Sequence, residues 1–182
     1  ALSNCVGPAF PGVEIKLMQA DGSEAMTGES GEIWVRSDYN LAGYWQRPDA
    51  TAEAMSKDGF FKTGDLAVLR PDGNYRIVGR IKEMYKSGGY NVYPREIEMV
   101  LEGHPSVTVA AVVSKPDPLW QEVGIAYLVA DGDLDPDTLA EYCRTRLANY
   151  KIPKQFIIEP SLPLLPVGKV DKVELRRRAA AR

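Results

Sequence analysis

Gly79-Arg80-Ile81-Lys82-Glu83-Met84-Tyr85-Lys86-Ser87-Gly88-Gly89-Tyr90-Asn91-Val92-Tyr93-Pro94-Arg95-Glu96-Ile97-Glu98 is the stretch on which the architecture turns. Before it the chain reads as short strands and turns, and from Ile81 onward strands alternate with helices. A domain boundary is therefore expected here, with residues 1–80 on one side and 81–182 on the other. Two adjacent glycines, Gly88 and Gly89, permit positive φ and close backbone approach, which serves either a tight hairpin or a ligand threading past. Local chemistry alone favours the hairpin. Pro94 then opens a predicted helix in which Ile97, Val100 and Leu101 share a face, and His104-Pro105 ends it.

Working toward the N-terminus, Tyr75 to Arg80 and Asp65 to Arg70 read as a hairpin joined by Pro71-Asp72-Gly73-Asn74, a run of turn formers. Pro48 to Met55 reads as a short helix with proline in its first turn. Gly31 to Arg36 and Val13 to Met18 read as strands. Toward the C-terminus, Val107 to Val113 and Val123 to Ala130 are predicted buried strands. Asp135-Pro136 opens a helix whose Leu139, Cys143 and Leu147 recur every fourth residue, which makes Cys143 a core position. Leu162 to Val170 is an extended, proline-bearing loop, and Asp171 with Glu174 three residues later resembles a capping box for the last helix. The fold class is α+β, a β-rich part followed by a small α+β part with a mixed sheet and flanking helices.

Composition narrows the function classes. The 182 residues suffice for one ordinary domain or two small ones, and 45% hydrophobic with 26% charged residues is a globular balance. Twenty-two basic and 25 acidic side chains give a net charge of -3, so no basic field exists to gather nucleic acid. Arg176, Arg177 and Arg178 read as a solvated helix end. Cys5 and Cys143 lie far apart and His104 is the single histidine, which argues against a metal site or a Cys/His catalytic pair. No apolar run approaches the roughly 18 residues of a membrane span. The first residues lack signal-peptide features and cysteines are few, so a cytoplasmic protein is expected.

Three segments carry candidate chemistry. In Phe61-Lys62-Thr63-Gly64-Asp65, a carboxylate after a glycine at a strand start can accept two hydrogen bonds from a vicinal diol such as a ribose. An Asx-type turn explains the same residues without a ligand. The boundary stretch quoted above is the second segment. In Pro166-Val167-Gly168-Lys169, a glycine-hinged lysine offers a point charge to phosphate or carboxylate oxygens, or simply sits in solvent.

Together and in this order, these segments resemble the AMP-forming adenylating family of acyl- and aryl-CoA synthetases, luciferases and peptide-synthetase adenylation domains. The resemblance covers essentially the whole chain, including Gly43-Tyr44-Trp45 and His104-Pro105-Ser106-Val107. It implies that residues 1–80 are the last β-rich subdomain of a large N-terminal adenylating domain, and that 81–182 are a mobile C-terminal lid. By the same resemblance Asp65 and Arg80 hold the ribose hydroxyls of ATP or AMP, and Lys82 is the hinge. Lys86 and Asn91 match positions that approach the adenylate, although asparagine is shorter than the glutamine often found there. Ser87, Gly88 and Gly89 line the coenzyme A tunnel, and Lys169 is the catalytic lysine of adenylation.

The implied reaction joins a small-molecule carboxylic acid to coenzyme A at the expense of ATP, releasing AMP and pyrophosphate, as in fatty acid metabolism. The family's Ser/Thr/Gly-rich phosphate loop and its Tyr-Gly-x-Thr-Glu motif are absent. In the family both lie upstream of residue 1, as does the acyl pocket, so the resemblance implies a fragment. Mg2+ would then be held through the missing N-terminal region, and the fragment alone is expected to be inactive. Peptide-synthetase adenylation domains usually carry aspartate at the hinge and Arg-Gly-x-Arg after it, where this chain has Lys82 and Ser87-Gly88-Gly89. A fatty acyl-AMP ligase, another adenylating enzyme and a non-catalytic binding module remain open alternatives.

Overall fold

A computed structural model describes residues 5–181. The chain forms two compact units, one ending at Lys82 and the other starting at Glu83.

The first unit contains β1 (Cys5–Gly7), β2 (Glu14–Met18), β3 (Ser30–Arg36), α1 (Pro48–Ala54), β4 (Phe61–Leu69) and β5 (Tyr75–Arg80). Its strands form one antiparallel sheet in the order β1-β5-β4-β3-β2. Leu17, Phe60, Leu66 and Ala67 are its buried apolar side chains. The Arg36 guanidinium and the Lys16 ammonium lie 4.4 Å and 4.9 Å from the Phe60 ring centre, so cations roof a small core. The sequence expectation that Asp65 begins a strand is corrected, because β4 starts at Phe61. Between the pairs Trp34↔Lys62 and Glu32↔Leu66, β3 advances two residues while β4 advances four. Gly64, at φ +73°, turns the chain within this bulge. A helix-and-turn reading could not show such a bulge, since it depends on the partner strand.

A 3-10 turn, Ile81–Glu83, spans the division between the units. The second unit then contains β6 (Tyr85–Ser87), β7 (Tyr90–Val92), α2 (Pro94–Glu102), β8 (Val107–Asp117), β9 (Gln121–Ala130), α3 (Pro136–Arg144), β10 (Gln155–Ile158) and α4 (Lys172–Ala180). β9 pairs antiparallel with β8 along its length, in parallel with β10, and with β6 through Gln121 and Ser87. The sheet is therefore mixed. Side-chain alternation along β8 and β9 divides the core in two. Ala110, Val112, Ala126 and Leu128 pack with Ile97 and Leu101 of α2 and with Leu139 and Cys143 of α3. Ala111, Val113, Ile125 and Tyr127 pack with Leu162 and with Leu175 and Ala179 of α4. Cys143 is a core residue, and burial pushes its thiol up to about 11.

Four local expectations change. β8 continues past Val113 to Asp117, and it accommodates Pro116 because it pairs only with β9 and so forms a sheet edge. β1 and β10 are strands that the sequence pattern did not reveal. The capping box is half formed: the Asp171 carboxylate accepts the N–H groups of Val173 and Glu174, both at 3.0 Å, while the Glu174 carboxylate turns to Arg177 and Arg178. The arginine run is accordingly engaged in part, with Arg178 also bridging to Glu159 at 3.0 Å.

Candidate functional site

Asp65 and Arg80 are directly paired residues on β4 and β5. The Arg80 Nε donates to Asp65 Oδ1 at 2.5 Å, and Nη2 reaches Oδ2 at 3.5 Å. The Asp65 carboxylate is half-buried and the Arg80 side chain is exposed. The bulge that presents Asp65 is held from β3. Glu32 accepts the Gly64 N–H at 2.9 Å through one oxygen and the Trp34 indole N–H at 2.8 Å through the other. Thr63 Oγ1 donates to the Ile33 carbonyl at 2.9 Å and accepts the Asp65 N–H at 3.0 Å. Glu32 and Thr63 were not singled out from sequence, since their role lies in cross-strand contacts.

Lys82 lies in the 3-10 turn, exposed, with no ion pair or hydrogen bond from its side chain among the described residues. Lys86, Ser87, Gly88, Gly89 and Asn91 are gathered in one hairpin, β6 to β7. Lys86 and Asn91 are direct cross-strand partners, both exposed, and so share a face. Ser87 is buried. Gly88 at φ +57° and Gly89 at φ +84° form a two-residue loop with both central residues left-handed, the geometry of a type I′ turn. The hairpin reading therefore holds. Gly88 has a second constraint that the sequence did not reveal. Its N–H donates to the Trp120 carbonyl at 2.8 Å, and a Cβ on it would stand 2.8 Å from the Trp120 ring. The Lys154 ammonium lies 5.0 Å from that ring on a cation–π contact.

Lys169 stands on a turn of its own before α4. The Leu165 N–H donates to the Lys169 carbonyl at 2.7 Å, the Gly168 N–H to the Leu165 carbonyl at 2.8 Å, and the Asp171 N–H to the Pro163 carbonyl at 2.8 Å. Leu164 and Val170 form an antiparallel bridge across its base. The loop expected to be merely extended is thus a closed, hydrogen-bonded turn. Lys169 is exposed, and its ammonium makes no ion pair or hydrogen bond among the described residues. An unpaired ammonium on an ordered backbone is free to meet an anion.

Among the described residues no three or more His, Cys, Asp or Glu side chains gather as a metal-binding set. An open groove of about 630 Å³ between α3 and the chain from Asn149 to Ile157 contains none of the sequence-predicted site residues. No helix among the described residues is long and apolar enough to cross a membrane.

Residues 96–169 match the AMP-binding enzyme C-terminal domain. The chain is 46% identical over 167 residues to a feruloyl-CoA synthase of Amycolatopsis sp, covering 91% of this chain and 34% of that protein. It is 41% identical over 175 residues to a long-chain-fatty-acid–CoA ligase of Yersinia pestis, covering 96% of this chain and 31% of that protein. The amide bond synthetase McbA from Marinactinospora thermotolerans superimposes with a TM-score of 0.93 at 36% identity, over 98% of this chain and 36% of that one. The chain thus spans about a third of the length of the curated relatives it matches. Residues 96–169 are therefore an AMP-binding enzyme C-terminal domain, and over nearly all of its length the chain is similar to CoA synthases and ligases and to an amide bond synthetase.

Proposed function

We propose that this chain is the C-terminal part of an ATP-dependent, AMP-forming acyl-CoA synthetase, and that Lys169 is its catalytic lysine. Lys169 carries this reading through its exposed, unpaired ammonium on a hydrogen-bonded turn. In the first half-reaction a carboxylate attacks the α-phosphate of ATP, forming an acyl-adenylate and releasing pyrophosphate. Negative charge concentrates where carboxylate and phosphate oxygens meet. An ammonium about 4 Å away at an effective dielectric of ~20 contributes ~4 kcal/mol of attraction. Confined to the transition state, that is roughly a thousandfold in rate.

Asp65 and Arg80 hold the ribose in this reading. A carboxylate has about four acceptor positions, and Arg80 takes two, which leaves room for a diol. Lys86 and Asn91 approach the nucleotide from the hairpin. In the second half-reaction the coenzyme A thiol displaces AMP, after the unit that begins at Glu83 has turned about Lys82 as a lid. The Ser87-Gly88-Gly89 turn then lines the path of the pantetheine arm. The body that precedes this lid supplies the acyl pocket and the Mg2+ site, and residues up to 80 are its last β-rich subdomain. The isolated chain is inactive. Relatives named for feruloyl-CoA and long-chain fatty acids support a carboxylic acid as substrate.

The test is Lys169→Ala in the full-length enzyme. Acyl-adenylate formation, followed by pyrophosphate exchange, falls by about a thousandfold, while thioester formation from supplied acyl-adenylate is spared. Equal loss in both half-reactions would overturn the assignment. An enzyme that makes adenylate normally but never transfers it to coenzyme A would instead be a fatty acyl-AMP ligase.

A further inference from the structure

The Lys172 ammonium lies 2.5 Å from Glu83 Oε2 and 2.7 Å from Glu98 Oε1. Glu98 is a carboxylate on α2 that is only 4% exposed. Its Oε1 also accepts the Val112 N–H at 3.0 Å, a donor on the edge of β8 that has no strand beyond it. Arg95 stands 3.6 Å from the other oxygen. The helix that carries Glu98 packs on one face of the sheet, and α4, which Lys172 begins, packs on the other. Lys172 and Glu98 therefore fasten the two layers around the β8 edge. A buried carboxylate holds its cation firmly, because the unpaired charge is costly.

The third member, Glu83, is the first residue of its unit and directly follows Lys82. One ammonium thus joins the residue beside Lys82, helix α2, and the chain three residues beyond Lys169. The intervening backbone is itself fixed by the Asp171 N–H on the Pro163 carbonyl and by the cap on α4. We propose that Lys172 is a positioning residue for Lys169. By holding Glu83 and Glu98 together it locks the lysine turn to the segment beside Lys82, so that a backbone change at Lys82 carries Lys169 with it as a rigid body. This rests on the reading of Lys169 given above, and Lys172 itself touches no substrate.

The experiment measures both half-reactions in the full-length enzyme for Lys172→Met, Lys172→Arg, Glu83→Gln and, in parallel, Lys169→Ala. Misplacing the lysine turn slows adenylation about tenfold or more in Lys172→Met, with thioester formation from supplied acyl-adenylate changed by less than about twofold. Arginine at 172 restores adenylation to within about threefold. Glu83→Gln keeps the Glu98 pair and the fold, and slows adenylation about threefold on its own. Full adenylation in Glu83→Gln and Lys172→Met, or equal loss in both half-reactions, overturns the inference while an impaired Lys169→Ala leaves the functional reading standing. Should Lys172→Met fail to fold, Glu83→Gln decides by the same criterion. An unimpaired Lys169→Ala defeats the functional reading itself.

Discussion

Gly88 and Gln121 meet where β6 reaches β9, and the left-handed backbone that suits one strains the other. Gln121 pairs with Ser87 at φ +68°, closing the short loop from Asp117, whose carboxylate accepts the Leu119 and Trp120 N–H groups, both at 2.9 Å. A residue with a Cβ is held there by the loop and not by its own preference. Gln121→Gly is expected to stabilise the protein by about 0.5–1 kcal/mol, seen as a higher urea midpoint with an unchanged slope. Gly88→Ala should act oppositely, costing about 1–3 kcal/mol, because it adds a left-handed Cβ and drives it into the Trp120 ring. Gly89 at φ +84° has open space around its missing Cβ, so Gly89→Ala should cost only about 1 kcal/mol. Equal losses at the two glycines would show that backbone angle alone matters and that Trp120 gives way. This comparison also separates folding from function for the turn we assign to the pantetheine path.

Helix α4 opens on the Asp171 cap, and its first turn is also held by Glu174, whose carboxylate the Arg177 and then the Arg178 hydrogen bonds draw down to about 2 from an ordinary 4.5. A lowered folded pKa contributes stability above the unfolded value and loses it as pH falls through the folded one. The loss therefore belongs between pH about 4.5 and about 2, and the solvent around the exposed Arg177 keeps it small. Replacing Arg177 and Arg178 together by alanine should return the Glu174 carboxyl toward its ordinary range in an NMR titration. A titration unmoved by that change would mean that the helix end, and not the arginines, sets it. The capping signal at Asp171, the apolar spacing of α2 and the Leu139–Cys143 spacing of α3 were legible in the sequence because they are local, although α3 ends at Arg144, short of the Leu147 expected on the same face. β10 was not, since Phe156, Ile157 and Ile158 form a strand only beside β9, and nothing in so short a run distinguishes strand from loop. The early start of β4 was hidden for a related reason, as Lys62, Thr63 and Gly64 depend on Trp34, Ile33 and Glu32 across the sheet. Asp65, Arg80 and Lys169 were legible as candidates by their motifs, whereas Lys172 and Glu98 were not, because two helices must pack before those charges meet.

At the scale of the molecule, a chain with two cores invites separation at the point where neither core reaches. Leu17, Phe60, Leu66 and Ala67 anchor the first unit, and the two faces of the β8–β9 pair anchor the second. Lys82 lies in a three-residue turn between them, exposed and with an unengaged side chain. Protease sites open where backbone is accessible and locally cheap to unfold. Lys169 is equally exposed, but its turn is closed by backbone hydrogen bonds and bridged at its base, so cutting there requires more unfolding. Brief digestion with trypsin should therefore cleave first after Lys82, and mass spectrometry should recover residues 1–82 and 83–182 as the initial pair. The second fragment should then persist longer, because its sheet is covered on both faces, while the first holds few buried side chains and exposes more of its surface. Adding excess AMP tests the division further: if Asp65 and Arg80 alone bind the ribose weakly, the first cut is unaffected at concentrations below the millimolar range. Early cleavage within residues 107–130 would contradict the prediction, since β8 and β9 form the most deeply buried part of the chain and yield only when the whole second unit unfolds.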